Sequence, residues 1–448
     1  MRILFVQSYL GKNAPQIYPI GLVWVASCVT GHKIRIVDLN FYEKPFDELT
    51  KALTDFRPDV VGVSLRNIDN HNRINTSYFY ENFRKIVKQI KEVAPNVRLI
   101  GGGAAFSMYI REIMERNSAI DFGVFLEGEE ILPELLANLD HPESVKGIYY
   151  RKNGQVIFSG MRALPDLTRV PRPKRELADM SGYARKRLSI GVQSKRGCPL
   201  DCSHCNYPFL NGKAVRVRPP KDVVDEIEAM VNEHGVREFM FVDPVFNVPK
   251  EHAEEVCREI IRRGIKVQWG AYLDIRNADE GFLVLAREAG CMDYMFSPDG
   301  ASAGALAALR KGITKEDIAR TVRYFKQNPK LKDTFVYLGF FMSGPGEDFW
   351  GLLETLAFWA QLRWTLRGRG RPFVHWIRVE PETEVYRIAL EKGVLTPDTQ
   401  LLPDTAEGLK KVFYRQPSLK YVDFLLVALH SSFWKRQLLA LAGAEKKT

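Results

Sequence analysis

The segment Gly197–Pro208 reads GCPLDCSHCNYP and holds three of the six cysteines of this 448-residue chain. Cys198, Cys202 and Cys205 have the spacing C-x3-C-x2-C and follow an apolar, strand-like run at Ser189–Ser194. The glycine before the first cysteine lets the backbone turn freely, so one short loop can direct three thiolates at a common centre. Three thiolates are one fewer than the four that usually hold a cubane iron–sulfur cluster. The spacing therefore predicts a cluster with one iron open to a small-molecule ligand.

A zinc site is the main alternative for these cysteines. It would need a fourth ligand, and His204 is adjacent to Cys205, where neighbouring side chains diverge. We therefore favour the iron–sulfur interpretation over zinc. The other thiols lie singly in helical or helix-end patterns, which is typical of ordinary buried cysteines; they are Cys28, Cys257 and Cys291.

Length and composition restrict the class of protein. With 46% hydrophobic and 26% charged residues over 448 positions, the chain predicts two or three globular domains. The net charge of +10 is spread along the sequence without a long basic tract, so we expect a basic surface and no nucleic-acid partner. No apolar run is long enough to span a membrane and no export signal is evident, so we expect a cytoplasmic protein with reduced thiols.

The residues upstream of the cysteines alternate strand-like and helix-like segments. Five β-branched runs are each followed by an amphipathic stretch, which predicts a Rossmann-like, doubly wound parallel sheet over residues 1–142. The runs are Ile3–Val6, Ile34–Val37, Val60–Val63, Val97–Ile100 and Phe122–Leu126. The amphipathic stretches are Pro19–Val29, Phe46–Phe56, Tyr80–Val93, Met108–Asn117 and Glu129–Leu139. A β-hairpin that turns at Asn153-Gly154 and a linker rich in proline and arginine are predicted over residues 143–185.

The alternation restarts at residue 186 and continues to residue 393. Six further strand–helix units predict a partial (β/α)6 TIM barrel with functional loops at the carboxyl ends of its strands. The strand-like runs are Ser189–Ser194, Phe239–Val242, Val267–Leu273, Tyr294–Phe296, Phe335–Phe341 and Phe373–Val379. Residues 394–448 are predicted to be mostly helical and to cap the active site. The fold class is therefore α/β throughout, with a helical C-terminal region.

The stretch RGCPLDCSHCNYP resembles the signature of the radical S-adenosylmethionine (SAM) enzymes, which lies after the first barrel strand in that family. FMFVDPVFN, WGAYLDIRNADEGFLVLAREAGC and FSPDGASAGALAALRKGITKEDI resemble later segments of the same family. The chain departs from the pattern at Asp299, where many relatives carry glutamate, and at Pro381-Glu382-Thr383, where Pro-Gly-Thr is more usual. The resemblance implies a [4Fe-4S] cluster on the three cysteines. It also implies SAM contacts by His204, Asp243 (amino group), Arg276 (carboxylate), Asp299 (ribose) and Ser343.

The resemblance also implies a chemistry. SAM would chelate the open iron, and an electron from a flavodoxin- or ferredoxin-type donor would let the cluster break a sulfur–carbon bond of SAM. The resulting 5′-deoxyadenosyl radical would remove hydrogen from an unreactive carbon of a small-molecule substrate, inside a cavity that excludes water.

The first domain resembles the cobalamin-binding domain of one large radical SAM class. YPIGLVWVASCVTGHKIRIVDLN, PDVVGVSLRNIDN, LIGGGAAF and IDFGVFLEGEE follow one another in the order and spacing typical of that class, although a glycine triplet alone would indicate only a tight turn. The resemblance implies cobalamin contacts by Ser64, Leu65, Arg66, Asn67, Gly102, Gly103, Glu127 and Gly128.

Many cobalamin carriers ligate cobalt through an Asp-x-His-x-x-Gly loop, which this chain lacks. The near match DNHNRI at Asp69–Ile74 has no glycine and follows the third strand, so we interpret His71 as a polar loop residue. Arg66 could face the lower side of the corrin, because a cation that does not coordinate would favour low-coordinate cobalt. A surface or phosphate-pairing arginine is the equal alternative.

The resemblance favours a cobalamin-dependent radical SAM methyltransferase that moves a methyl group from SAM, through methylcobalamin, to an unactivated carbon. The enzymatic alternative keeps the cofactors but performs oxidative cyclisation or ring rearrangement. A corrinoid sensor with a vestigial cluster is disfavoured by the intact cysteines. A transfer-RNA methylthiotransferase is disfavoured because the first domain holds only Cys28. We expect a monomer; the sequence names neither the substrate nor the general base, for which Glu347, Glu380 and Glu382 are candidates.

Overall fold

The computed structural model describes residues 1–12 and 14–422, and these pack into two compact units. Three segments form the first unit and three form the second. The first unit comprises Met1–Asn70, Ser77–Leu200 and Tyr207–Tyr294; the second comprises His71–Thr76, Asp201–Asn206 and the described residues from Met295 onward. The boundaries expected from sequence, at residues 142, 185 and 393, stay predictions.

The first unit contains a seven-stranded sheet that confirms the five predicted strands. Its strands are β1 (Arg2–Gln7), β2 (Lys33–Asp38), β3 (Val60–Ser64), β4 (Arg98–Gly102), β5 (Phe122–Val124), β6 (Ile148–Lys152) and β7 (Gln155–Phe158). Their order is β2-β1-β3-β4-β5-β6-β7, and β1 to β5 pair in parallel. The helices between them are α1 (Ile20–Cys28), α2 (Pro45–Phe56), α3 (Phe79–Val93), α4 (Ala104–Met108), α5 (Ile110–Arg116) and α6 (Ile131–Ala137).

The predicted hairpin is confirmed, and it extends this sheet rather than standing apart. β6 runs antiparallel to both β5 and β7. Asn153 and Gly154 both have left-handed backbones, with φ of 52° and 81°. This is the combination that a two-residue turn matched to the strand twist requires, and it explains the Asn-Gly pair in the sequence.

A second sheet contains six strands and confirms the predicted partial barrel. The strands are β8 (Gly191–Val192), β11 (Glu238–Phe241), β12 (Gln268–Leu273), β13 (Cys291–Asp299), β14 (Phe335–Phe341) and β15 (Gly370–His375). Their order is β15-β14-β13-β12-β11-β8, with β8–β11, β11–β12 and β14–β15 parallel. β9 (Lys195–Arg196) and β10 (Arg216–Val217) form a separate antiparallel pair that the sequence did not predict.

Helices connect these strands close to the predicted positions. They are α7 (Ser181–Ala184), α8 (Tyr207–Asn211), α9 (Pro220–His234), α10 (Lys250–Arg262), α11 (Glu280–Glu288), α12 (Ala303–Ala308), α13 (Lys315–Gln327), α14 (Phe349–Leu366), α15 (Glu384–Glu391) and α16 (Ala406–Lys410). The short α8 and α12 were not predicted, because five or six residues carry too little periodicity. Among the described residues, none of the helices combines the length and apolar character that crossing a membrane requires.

The C-terminal region is less helical than predicted in its described part. Residues 394–422 hold α16, one 3-10 turn at Pro417–Leu419 and otherwise turns and loops. Prolines at positions 397, 403 and 417 interrupt the segment, since proline cannot continue a helix. Residues 423–448, which include most of the predicted cap, lie outside the described residues.

Candidate functional site

The first cysteine is held by a tightly closed loop in the first unit. Arg196 of β9 pairs with Arg216 of β10, so the two ends of the loop meet. Gly197 has a φ of 86°, and a Cβ there would lie 2.1 Å from the carbonyl oxygen of Ala214. The amide of Cys198 donates to the carbonyl of Gly212 at 3.1 Å, and only 5% of the Cys198 residue is exposed. Position 197 therefore accepts only glycine, both for its conformation and for its neighbour.

The other two cysteines of the motif lie in the second unit, in a turn closed by a 3.1 Å hydrogen bond from the Cys205 amide to the Cys202 carbonyl. Ser203 between them donates its amide to Leu309 at 3.1 Å and accepts that of Val385 at 2.8 Å. All six cysteines lie among the described residues, and none of them forms a disulfide. A half-buried turn of thiols outside any disulfide fits the donor chemistry of an iron–sulfur cluster.

Across the described residues, no three His, Cys, Asp or Glu side chains are grouped around the position of a single metal ion. In a cubane cluster each cysteine binds a different iron, so its ligands need not converge on one point.

Lys311 lies directly beside the second cysteine. Its Nζ is 3.7 Å from Cys202 Sγ and 2.7 Å from Asp299 Oδ2. Burial lowers the pKa of Lys311, but the charges of Asp299 and Cys202 outweigh it and raise the pKa above its ordinary value. A permanently charged ammonium therefore faces the thiol turn. The sequence reasoning missed this residue; its only signal is its place in ALRKGI, within the third resembling segment.

Asp299 and His204, both predicted to contact SAM, come together in the second unit. His204 Nε2 is 3.6 Å from Asp299 Oδ2, and the imidazole ring lies edge-on to Phe341 at 4.7 Å. Burial lowers the pKa of His204 to about 4, so the ring is neutral at pH 7. Its buried Nδ1 has no hydrogen-bond partner among the residues that the structure describes, which leaves one polar atom for a ligand.

Two of the predicted SAM residues have left-handed backbones. Asp299 has a φ of 66° and Ser343 a φ of 58°, and both are buried. Such conformations are costly for residues other than glycine and cluster at functional sites. Ser343 Oγ accepts the amide of Gln416 at 2.9 Å, so this strand end is fixed by the C-terminal region.

Asp243 and Arg276 lie in the first unit and have protein partners. Asp243 is buried and accepts the amides of Ser194 at 2.7 Å and Lys195 at 3.2 Å. Burial raises the pKa of its carboxyl group. Arg276 is partly exposed and bonds Asp274 Oδ2 at 2.6 Å. Asp243 is thus committed to the connection after β8, whereas Arg276 keeps a solvent-facing guanidinium.

The predicted cobalamin residues Ser64 to Asn67 and Gly102–Gly103 form one cradle at the carboxyl ends of β3 and β4. The Leu65 amide donates to the Gly102 carbonyl at 2.8 Å, and the Leu65 carbonyl accepts the Phe106 amide at 3.2 Å. Gly103 has a φ of 104°, and a Cβ there would lie 2.7 Å from the Leu65 carbonyl oxygen. The Arg66 side chain is exposed and Asn67 is half-buried. This close backbone packing lies at the carboxyl ends of parallel strands, the position at which ligands of such sheets bind.

Glu127 and Gly128, in the loop after β5, occupy a different environment. Glu127 is buried and accepts hydrogen bonds from Arg196 Nη1 at 2.8 Å, Arg216 Nη1 at 2.9 Å and Asn211 Nδ2 at 3.3 Å. Burial raises the pKa of the Glu127 carboxyl, but the two arginines outweigh it, so the net pKa is lowered. A Cβ at Gly128 would lie 3.3 Å from Val124 and 3.4 Å from Val25, so little room is left for a side chain there. The carboxylate is therefore fully engaged by protein groups.

The candidate general bases differ in their surroundings. Glu347 is buried with Ser302 Oγ at 3.0 Å, and burial raises its pKa to about 7. Glu380 is bound by Arg378 and by Asn206, the residue after Cys205. Glu382 is exposed with a φ of 60°.

His71 lies in a polar loop, as interpreted from sequence, and its side chain contacts residues that follow β15. Its Nε2 is 3.0 Å from Arg378 Nη2 and 3.9 Å from Glu380 Oε1, all within the second unit.

An aromatic row that the sequence reasoning missed lies on β14 and β15. Its rings are Phe341, His375 and Phe373, with successive centroids 4.7 and 5.2 Å apart, and 38% of Phe373 is exposed.

Two protein families match this chain. Residues 7–136 match the B12 binding domain and residues 192–358 match the Radical SAM superfamily. An uncharacterized methyltransferase of Pyrococcus horikoshii is 28% identical over 71% of this chain and 69% of its own length. An anaerobic magnesium-protoporphyrin IX monomethyl ester cyclase of Cereibacter sphaeroides is 27% identical over 73% of this chain, which spans 55% of the cyclase.

Solved structures share the fold. The radical SAM methyltransferase TsrM from Kitasatospora setae, bound to tryptophan and a SAM analogue, superposes with a TM-score of 0.81 over 96% of this chain and 88% of its own. TsrM with cobalamin and a [4Fe-4S] cluster gives a TM-score of 0.79 over 93% and 84%. At 22% and 21% identity these likenesses establish the fold alone. The thiol turn, the glycine cradle and the two family matches together lead to one conclusion: this chain belongs to the radical SAM enzymes that carry a B12-binding domain, whose cofactors are cobalamin, S-adenosylmethionine and a [4Fe-4S] cluster.

Proposed function

We propose that this chain is a cobalamin-dependent radical SAM methyltransferase that methylates an unactivated carbon of a small-molecule substrate. The observation that carries the proposal is the environment of the thiol turn, where Lys311 and Asp299 present a cation and a carboxylate beside Cys202. An ammonium group can pair with the carboxylate of an amino acid bound at the open iron, and a carboxylate can accept hydrogen bonds from a ribose. Relatives named as methyltransferases support the reaction type.

Each cofactor has named residues in this proposal. Cys198, Cys202 and Cys205 hold the cluster, and Lys311 pairs with the SAM carboxylate. The other proposed SAM contacts are those implied by the resemblance: His204, Asp243, Arg276, Asp299 and Ser343. When bound, the cluster and SAM supply the hydrogen-abstracting radical and cobalamin supplies the methyl group.

Cobalamin is proposed to lie on the glycine cradle. Ser64, Leu65, Gly102 and Gly103 present backbone groups at the strand ends, and Arg66 and Asn67 present exposed or half-buried side chains. Arg66 is an exposed residue just after β3, and this position at a strand end supports its placement toward the corrin. His71 is engaged with Arg378 at 3.0 Å, which supports cobalt without a histidine ligand.

The second candidate function is oxidative cyclisation without methyl transfer, favoured by the 27% identity to the cyclase over 73% of this chain. The two functions share every cofactor and differ only in the fate of the SAM methyl group. A low-potential flavodoxin- or ferredoxin-type electron donor, a monomeric state and a cytoplasmic location complete the proposal.

Anaerobic turnover with methyl-labelled SAM tests the proposal, using candidate substrates drawn from the genomic neighbourhood. Methyl transfer puts label into the organic product, whereas cyclisation forms unlabelled product and 5′-deoxyadenosine. If reduced, cluster-loaded protein produces no 5′-deoxyadenosine with any candidate, the enzymatic assignment fails and the corrinoid sensor replaces it. Cys257→Ala, at a buried thiol outside the motif, is the control for thiol loss.

A further inference from the structure

A cluster of buried charges lies between the two family segments within the first unit. We call it the Glu127–Arg196 cluster; its members are Glu127, Glu129, Arg196 and Arg216. Arg196 donates Nη1 to Glu127 at 2.8 Å and Nη2 to Glu129, while its guanidinium lies 4.7 Å from the ring centroid of Trp24. Arg196 and Glu129 are each 5% exposed. Two carboxylates and two guanidinium groups therefore neutralise one another away from water.

The members of this cluster belong to different cofactor loops. Glu127 and Glu129 lie within the B12-binding match, on either side of Gly128 in the loop after β5. Arg196 lies within the radical SAM match, two residues before Cys198. Arg216 closes the other end of the cysteine loop, and its Nη1 donates to both Glu127 at 2.9 Å and the Pro165 carbonyl at 2.8 Å.

Arg196 of the Glu127–Arg196 cluster is only two residues from Cys198, the first thiol of the motif. From Arg196 the chain passes through Gly197, where no Cβ fits, and reaches Cys198, whose amide is bonded to Gly212. The backbone between Arg196 and Cys198 is thus constrained at both positions, so the buried guanidinium and the thiol are anchored to the same short, closed segment. At the other end of the ion pairs, Glu127 and Glu129 are both buried, and a Cβ at Gly128 between them would meet Val124 at 3.3 Å.

We propose that the Glu127–Arg196 cluster couples the position of the cysteine loop to that of the loop after β5, which lies within the B12-binding match. Assembly of the iron–sulfur cluster and binding of cobalamin then reinforce each other. Glu127 and Arg196 are then positioning residues rather than cofactor contacts. A buried carboxylate held by two arginines has a steep dependence on geometry, because any displacement leaves charge unpaired in a poorly solvated place. The inference requires the two cofactors but not the methyl transfer proposed above.

Linkage defines the measurement. If loading of the iron–sulfur cluster tightens cobalamin binding by some factor, bound cobalamin must tighten the binding of the iron–sulfur cluster by the same factor. We expect wild-type protein loaded with the iron–sulfur cluster to bind aquacobalamin at least about fivefold more tightly than protein without it. A fivefold change is at the lower end of typical coupling free energies. Both affinities are measured anaerobically on the full chain by absorbance titration. Coupling can fail while methyl transfer is retained, so the two proposals fail separately.

Three variants complete the test. Glu127→Gln keeps the shape of the side chain but removes its charge, and should bring the affinity ratio close to one. Glu129→Gln, which loses a contact to Arg196 alone, should give an intermediate ratio and replaces the first variant if that one does not fold. Glu226→Gln is the matched control, because Glu226 is also a buried carboxylate between two arginines, Arg175 and Arg218; it should keep the wild-type ratio.

A spectroscopic readout separates positioning from stability. Cobalamin should shift the electron paramagnetic resonance spectrum of the reduced cluster in wild-type and Glu226→Gln protein, and should leave it unshifted in Glu127→Gln. A wild-type affinity ratio of one overturns the inference. So does a Glu127→Gln protein that keeps both the full ratio and the spectral shift.

Discussion

Replacing Gly197 by alanine should prevent assembly of the iron–sulfur cluster while leaving a folded protein. The new methyl group meets the Ala214 carbonyl oxygen at 2.1 Å, whereas ordinary contact begins near 3.4 Å, so the loop must open by more than 1 Å. The left-handed backbone at φ 86° adds roughly 1–2 kcal/mol of strain for any L-residue. Because a site must be held to within about 0.5 Å of its working geometry, this displacement removes Cys198 from the ligand set.

Gly235 supplies the matched control for this substitution. It ends α9 with a φ of 67°, and a Cβ there would meet nothing within 4 Å. Gly235→Ala therefore carries the conformational strain without the clash, at a cost of about 1 kcal/mol in the free energy of unfolding.

The assay is iron and acid-labile sulfide per chain after anaerobic reconstitution, together with urea unfolding of each variant. Gly197→Ala should incorporate little iron, and Gly235→Ala should incorporate as much as the wild type. A Gly197→Ala protein with a full complement of iron and sulfide would refute the reasoning, because the contact with Ala214 would then not constrain the thiol.

Three further predictions concern the second unit. Lys311→Met should weaken SAM binding about tenfold or more, since a charge-assisted contact is lost, whereas the more exposed Lys315→Met should not; equilibrium binding of SAM to cluster-loaded protein decides. Cys202→Ala should abolish 5′-deoxyadenosine formation yet still bind cobalamin at saturation, while Cys257→Ala keeps cleavage; cleavage at the wild-type rate in Cys202→Ala would contradict the cluster assignment. Burial raises the pKa of Glu347 from 4.5 to about 7, so the folded protein retains a proton that the unfolded chain has lost within that window. Stability should therefore fall by up to about 3 kcal/mol as pH rises from 4.5 to 7, and urea unfolding of Glu347→Gln should show no such fall.

Periodicity and turn chemistry predicted most of the fold, for physical reasons visible in particular elements. β1, β3 and β5 follow from continuous apolar runs because residues on both of their faces are buried, whereas α2 and α3 follow from helical periodicity because each buries one face. The Asn153-Gly154 turn followed from the two left-handed residues that it requires. What the patterns did not predict were pieces too short to have a period, such as the β9–β10 pair and α12.

In the candidate site too, residues with a local sequence signal were predicted and residues defined by long-range contacts were not. The three cysteines were identified from local spacing, and the glycine cradle from a family resemblance carried by contiguous residues. Lys311 was missed because its significance depends on a contact with Cys202, 109 positions away in the sequence. Glu127 was assigned to cobalamin from its loop, but its carboxylate is bound by Arg196 and Arg216, partners that no local pattern indicates. Long-range charge pairing is set by tertiary packing, which spacing does not encode.

The discontinuous makeup of the second unit bears on how the chain is synthesised. His71–Thr76 belongs to that unit, where Ile74 packs in a core with Trp376 and Phe413, and Arg73 stacks over Trp376 at 5.6 Å. About 300 residues separate these partners. At ribosomal rates of about 5–20 residues per second, Trp376 is therefore synthesised roughly 15–60 s after the loop. A fragment that ends before Trp376 contains the whole B12-binding match yet leaves this loop without its core. The loop at residues 71–76, which lies within the B12-binding match, thus completes its packing only after Trp376 and Phe413 have been synthesised.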